Sequence, residues 1–111
     1  MKIVVAEAKP GVRCLSLDGR LDAAGVQESE AEFNSAVTAT PNIIVDLEKV
    51  PFIASIGIRL LVTGAQAQSK MGGKMVMMRP DEATRRILKT TGIDQLIPVF
   101  DNMNTALGAF S

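Results

Sequence analysis

From Asn42 to Leu61 the chain reads NIIVDLEKVPFIASIGIRLL, and no other run restricts the possible folds as much. Ile43, Ile44 and Val45 are β-branched neighbours, so Asn42 to Leu47 predicts a strand covered on both faces, as in a parallel sheet. Pro51 has no N–H for a ladder and ends it. Phe52 and Ile53 are apolar anchors for a short loop. Ser55 then occupies the expected N-cap position, directly before the apolar helix that opens with Ile56-Gly57-Ile58. A hydroxyl there sits among N–H groups without helical partners, at the positive end of the helix dipole. Helix capping is the simplest role for it. A phosphate would also be favoured at that point.

The flanking segments extend the strand–helix alternation. Lys2 to Ala8 and Val12 to Asp18 read as strands joined by a Pro10-Gly11 turn, which predicts an antiparallel hairpin. Asp22 is placed to cap a helix over Ala23 to Thr38, whose inner face carries Val26, Phe33 and Val37. Glu28, Glu30 and Glu32 fall toward water. The helix beginning at Ser55 runs to about Met71. Ile58, Leu61, Val62 and Ala65 recur at helical spacing and should face the sheet. Ile56, Leu60, Thr63 and Ala67 form a second stripe, either flanked by neighbouring helices or exposed as a docking surface. Gly72-Gly73 turns the chain into a strand over Lys74 to Met78, with its methionines as core filler. Asp81 caps a third helix, with Ile87, Leu88 and Thr91 inward, and Gly92 stops it. A short apolar segment from Ile93 to Phe100 precedes a last helix capped by Asp101 or Asn102. The result is one small α/β domain: a mixed β-sheet with an N-terminal antiparallel hairpin and about four helices.

Composition narrows the chemistry. The 111 residues carry 12 basic and 12 acidic side chains, and zero net charge argues against a nucleic-acid binder, which would need a basic face for phosphates. Residues 1–55 hold eight acids and five bases, and residues 56–111 hold four acids and seven bases, an asymmetry that could orient a charged partner. No run has the apolar length of a membrane span or a signal segment, which makes the cytoplasm the expected compartment. The sequence has no histidine, so neither Ser-His nor Cys-His catalysis can be built, and no Walker loop or nucleophile elbow is present. The single Cys14 reads as a buried, inert thiol. Asp46 and Glu48 alternate along a strand end as a solvated rim. No carboxylate spacing suggests a metal cage, and no cofactor is implied.

The pattern Phe52-Ile53-Ala54-Ser55-Ile56-Gly57-Ile58, at the end of a strand and the start of an apolar helix, resembles the signature of STAS domains, the anti-sigma factor antagonists of bacterial partner-switching systems. Their motif reads Asp-Ser-(Ser, Thr or Ala)-Gly followed by Leu or Ile. Ser55 corresponds to its phosphorylated serine and Gly57 to its glycine. Ala54 stands where the family has Asp, and Ile56 where it has Ser, Thr or Ala. Gly19, Leu21 and Asp22 match a Gly-x-(Leu or Ile)-Asp stretch whose Asp lies near that loop. The resemblance implies a STAS fold and no enzymatic activity. It implies an anti-sigma factor with serine kinase activity as partner, a docking surface of Asp22, Ala54, Ser55, Ile56, Gly57, Arg59 and Leu60, and release by phosphorylation of Ser55. It also implies a monomer or weak dimer. Two alternatives stand beside this. One is a constitutive interaction module that nothing modifies. The other is a nucleotide- or lipid-binding domain whose pocket would be lined by Asp22, Ser55 and the Ile56–Ile58 amides.

Overall fold

The computed structural model describes residues 1–110. β1 (Lys2–Lys9) and β2 (Val12–Asp18) form the expected antiparallel hairpin, and Gly11 turns it at φ +84°, a conformation glycine reaches without strain. Three crossovers follow. α1 (Ala23–Ala39) leads to β3 (Asn42–Lys49), and α2 (Ser55–Lys70) leads to β4 (Lys74–Met78). α3 (Glu82–Thr90) and the single turn α4 (Ile93–Leu96) lead to the two-residue β5 (Val99–Phe100), and α5 (Met103–Gly108) closes the chain. The strands lie in sequence order, β1-β2-β3-β4-β5, and every pair after the hairpin is parallel.

Register assigns the two faces. Cys14, Ile44 and Val76 stand side by side, as do Leu15, Val45 and Met77. Alternation along each strand sends these rows to opposite sides. The second row packs with Phe33, Val37 and Leu61 beneath α1 and α2, and the first packs with Ala106 of α5. Met75, Met77 and Met78 are all buried, as filler should be. Because β2 and β3 are parallel, the loops that follow them emerge at the same end of the sheet, and this brings Gly19–Asp22 beside Val50–Ala54.

Several expectations need correction. The apolar segment before β5 is split: Gly92, at φ +79°, starts α4, and only Val99 and Phe100 reach β4, which gives five helices among the described residues. Thr91 is exposed: it is the C-cap of α3, and its hydroxyl donates to the Ile87 carbonyl. Asp46 is no solvated rim residue. It is only 7% exposed, and it accepts 2.7 Å from the Arg79 guanidinium, which also reaches Glu48 at 3.6 Å. A carboxylate on the inner part of a sheet needs such a partner. Arg79 takes the left-handed backbone, φ 56°, as the chain leaves β4 toward α3.

Candidate docking and modification site

The two loops at this end of the sheet are zipped together. Leu21 N–H donates to the Phe52 carbonyl and Ala54 N–H donates to the Leu21 carbonyl, both at 2.9 Å, and Leu21 and Ile53 form a parallel bridge. Gly19 N–H adds a bond to the Lys49 carbonyl at 3.0 Å. Backbone pairing thus fixes where α2 begins relative to Asp22. Asp22 caps α1 as expected: its Oδ1 accepts from Gly25 N–H at 2.9 Å and its Oδ2 from Arg20 Nε at 3.1 Å. The Gly25 hydrogen bond, then the Arg20 one, holds the Asp22 carboxyl below its ordinary range. The Arg20 guanidinium lies 4.4 Å from the Phe52 ring centre.

Ser55 is not the N-cap. Ala54 holds that position, with extended backbone and no side-chain hydrogen bond, and Ser55 is the first helical residue. The helix begins directly after Ala54, two residues past the Leu21–Ile53 bridge, a long-range pairing that sequence spacing does not register. The Ser55 residue is exposed, and its hydroxyl has no partner among the described residues. Gly57 N–H and Ile58 N–H both donate to the Ala54 carbonyl, at 3.0 and 3.1 Å, so the amide cradle expected for a small ligand is already partly used.

Gly57 is buried for a steric reason. A Cβ there would lie 2.6 Å from the Leu21 carbonyl oxygen, so only glycine lets the first turn of α2 close on the paired loops. The inward stripe of α2 is Gly57, Leu60, Leu61, Gly64 and Gln68. That is about one residue's rotation from the stripe read off side-chain hydrophobicity, because Gly57 and Gly64 admit close neighbours and carry no apolar signal of their own. At Gly64 the space belongs to the Phe33 ring, 2.9 Å from where a Cβ would stand.

The remaining residues of the expected surface separate. Ile56 is 43% exposed and Arg59 is exposed, both beside Ser55. Leu60, expected on the same docking stripe, is only 4% exposed and is part of the core. It serves as the floor of a groove of about 180 Å³ between α1 and α2, with Glu30, Asn34, Ile56, Arg59 and Thr63 as the other lining residues. The sequence pattern places Glu30 in water and does not single out Asn34. Their spacing of four on α1 is the available signal, but it says nothing of the helix they face. Phe52, 38% exposed, and Arg20 extend the surface on the other side of the loop.

Paired loops, an exposed serine at a helix start and a glycine forced by close packing fit what the Phe52–Ile58 pattern implies, and the sequence matches the STAS domain over residues 4–106. The chain belongs to the STAS family. Among its relatives is the anti-sigma-F factor antagonist RsfB of Mycobacterium tuberculosis, 28% identical over 100 residues, a match that spans 87% of this chain and 80% of RsfB. The structure of an anti-sigma factor antagonist from Mycobacterium paratuberculosis superposes with a TM-score of 0.86 at 27% identity, covering 97% of this chain and 92% of that one. The Bacillus cell-fate determinant SpoIIAA, solved in its phosphorylated form, shares the fold at 18% identity, with a TM-score of 0.73 over 99% of this chain and all of its own. The relatives at 27–28% identity are both anti-sigma factor antagonists by name. No helix among the described residues is long and apolar enough to cross a membrane.

Proposed function

We propose that this STAS domain is a bacterial anti-sigma factor antagonist: it binds an anti-sigma factor, frees the sigma factor for transcription, and is released when Ser55 is phosphorylated. The antagonist role is supported by relatives of that name that align with most of the chain. The switch rests on one observation, an exposed Ser55 adjoining the exposed Ile56 at the start of α2. The partner is a serine-kinase anti-sigma factor, and the compartment is the cytoplasm, where ATP is available. In the transfer, Ser55 Oγ forms a bond to the γ-phosphorus of ATP, the bond to the β–γ bridging oxygen breaks, ADP departs, and the hydroxyl proton passes to a base on the kinase.

The energetics allow a switch without unfolding. The phosphate brings about −1.5 to −2 charges, and the start of α2 stabilises negative charge by about 0.3–1 kcal/mol. The same group pressed into an apolar contact at Ile56 costs several kcal/mol unless paired. Each ~1.4 kcal/mol is a tenfold loss of affinity, so one phosphate suffices to dissolve a micromolar complex.

Calorimetric titration against the kinase-type anti-sigma factors of the same genome is the test. Unmodified chain should bind one of them, and Ser55→Asp should bind at least about tenfold more weakly. Equal affinities would leave a constitutive module, the reading that Ala54 favours by leaving no acid beside the acceptor. Absence of binding by the unmodified chain would remove the antagonist role itself.

A further inference from the structure

Between Glu48 and Asp81 the chain contains no Asp or Glu. α2 lies wholly within that interval, and its charged side chains are Arg59 and Lys70 alone. Arg59 therefore has no carboxylate three or four residues away on its own helix. It makes no ion pair among the described residues, although it is exposed and faces the groove with Glu30 on the far wall. The other arginine beside the site is engaged, since Arg20 holds Asp22 and lies on Phe52. Ser55 precedes Arg59 by four residues in the same helix. That spacing stacks two side chains on one helix face with Cβ atoms about 5–6 Å apart, and anion before cation is the favourable order.

We propose that Arg59 is the built-in counter-ion of phosphorylated Ser55. This rests on the phosphorylation reading above and adds a regulatory step to it. In the unmodified chain the guanidinium is free to meet a carboxylate of the docked partner. Once Ser55 carries its phosphate, the guanidinium turns to it, and the docking face loses its cation at the moment it gains an anion. Ala54 helps this pairing, because no acid beside Ser55 competes for Arg59 or repels the phosphate.

Phosphoserine encoded genetically at position 55 makes the test independent of any kinase. Phosphorus-31 NMR follows the second ionisation of the phosphate against pH in the otherwise wild-type chain and in Arg59→Gln and Arg59→Lys backgrounds. A neighbouring cation favours the dianion, so Arg59→Gln should raise the midpoint by about half a pH unit, toward the ~6 of free phosphoserine. Arg59→Lys should stay close to wild type, and the Arg59 side-chain resonances should move through the same midpoint. Arg20, Asp22 and Glu30, the other charged groups facing the site, are common to all three proteins. An unchanged midpoint in Arg59→Gln, or Arg59 resonances that ignore the titration, overturns the pairing. Failure of a kinase to modify Ser55 would undo the phosphorylation reading and leave this result untouched.

Discussion

At Asp22 one carboxylate does two jobs, since Oδ1 caps α1 and Oδ2 holds Arg20 over the Phe52 ring. The two can be separated. Asn keeps an acceptor for the Gly25 N–H but cannot pair with a cation, whereas Ala removes both. Asp22→Ala is expected to be less stable than wild type in thermal unfolding, with Asp22→Asn in between. The pH dependence has a fixed sign. The folded carboxyl titrates below its ordinary 3.8, first because of the Gly25 N–H and then because of Arg20. The stability it contributes is therefore fully present above that ordinary value and is lost as the pH falls through the lower folded value. The gap between wild type and Asp22→Ala should be constant near neutrality and narrow in acid, down to the part that a neutral carboxyl, still an acceptor for the Gly25 N–H, retains. A gap that does not narrow in acid would mean that the carboxylate charge is not its source. Asp22 was legible in the sequence because caps obey local chemistry. Its nearness to Ser55 was implied by the family resemblance alone and not by local chemistry, because it runs through backbone pairing of loops some thirty residues apart.

Element boundaries were mostly written in local signals: β2 and β4 run between the residues their turns imply, and Asp81 and Asn102 cap their helices. The orientation of α2 was not, and its glycines explain why. Hydropathy marks where apolar side chains are, and Ile58, Val62 and Ala65 do pack against the core, but the closest approaches of α2 are where a side chain is missing, Gly57 on the paired loops and Gly64 on Phe33 and Met75. Gly57 and Gly64 thus decide which residues are left to form a docking surface. The contrast between glycines is testable. Ala at Gly57 gains about 1 kcal/mol of helix propensity but must move the Leu21 carbonyl from 2.6 Å. Overpacking against backbone costs about 3 kcal/mol, so Gly57→Ala should lose about 2 kcal/mol, seen as a lower midpoint in urea. A methyl group added at Gly108 in α5 would meet nothing within 4 Å, so Gly108→Ala should gain about 0.5–1 kcal/mol. Equal effects at both sites would show that propensity, and not the Leu21 contact, governs Gly57.

Across the whole molecule the sheet is covered unequally. One face lies under α1 and α2, while the row of Val12, Cys14, Ile44, Val76 and Met78 relies on the six residues of α5. That helix is too short to hold itself together. It is fixed by burial of Ala106 and by two lysines at its end, Lys74 Nζ donating to the Ala109 carbonyl at 3.0 Å and Lys9 Nζ to the Leu107 carbonyl at 3.5 Å. Cys14 reports on this cover. Burial pushes its thiol above the ordinary 9.0, which makes it a poor nucleophile at neutral pH while α5 is docked. The same shift makes the unfolded chain ionise first, so Cys14 should reduce stability as the pH rises past about 9. Ala106→Asp puts an unpaired carboxylate where burial is complete, at a cost of several kcal/mol that undocking α5 relieves. If opening this one helix becomes about 3 kcal/mol easier, Cys14 should react with a thiol reagent about a hundredfold faster. Ser55 is exposed at the start of α2, which packs on the opposite face of the sheet, so antagonist binding should persist in Ala106→Asp. A Cys14 that stays protected in the folded variant would mean that something other than α5 shields this face. Lost binding would mean that the two faces are coupled, and that the open side of the sheet takes part in regulating the docked one.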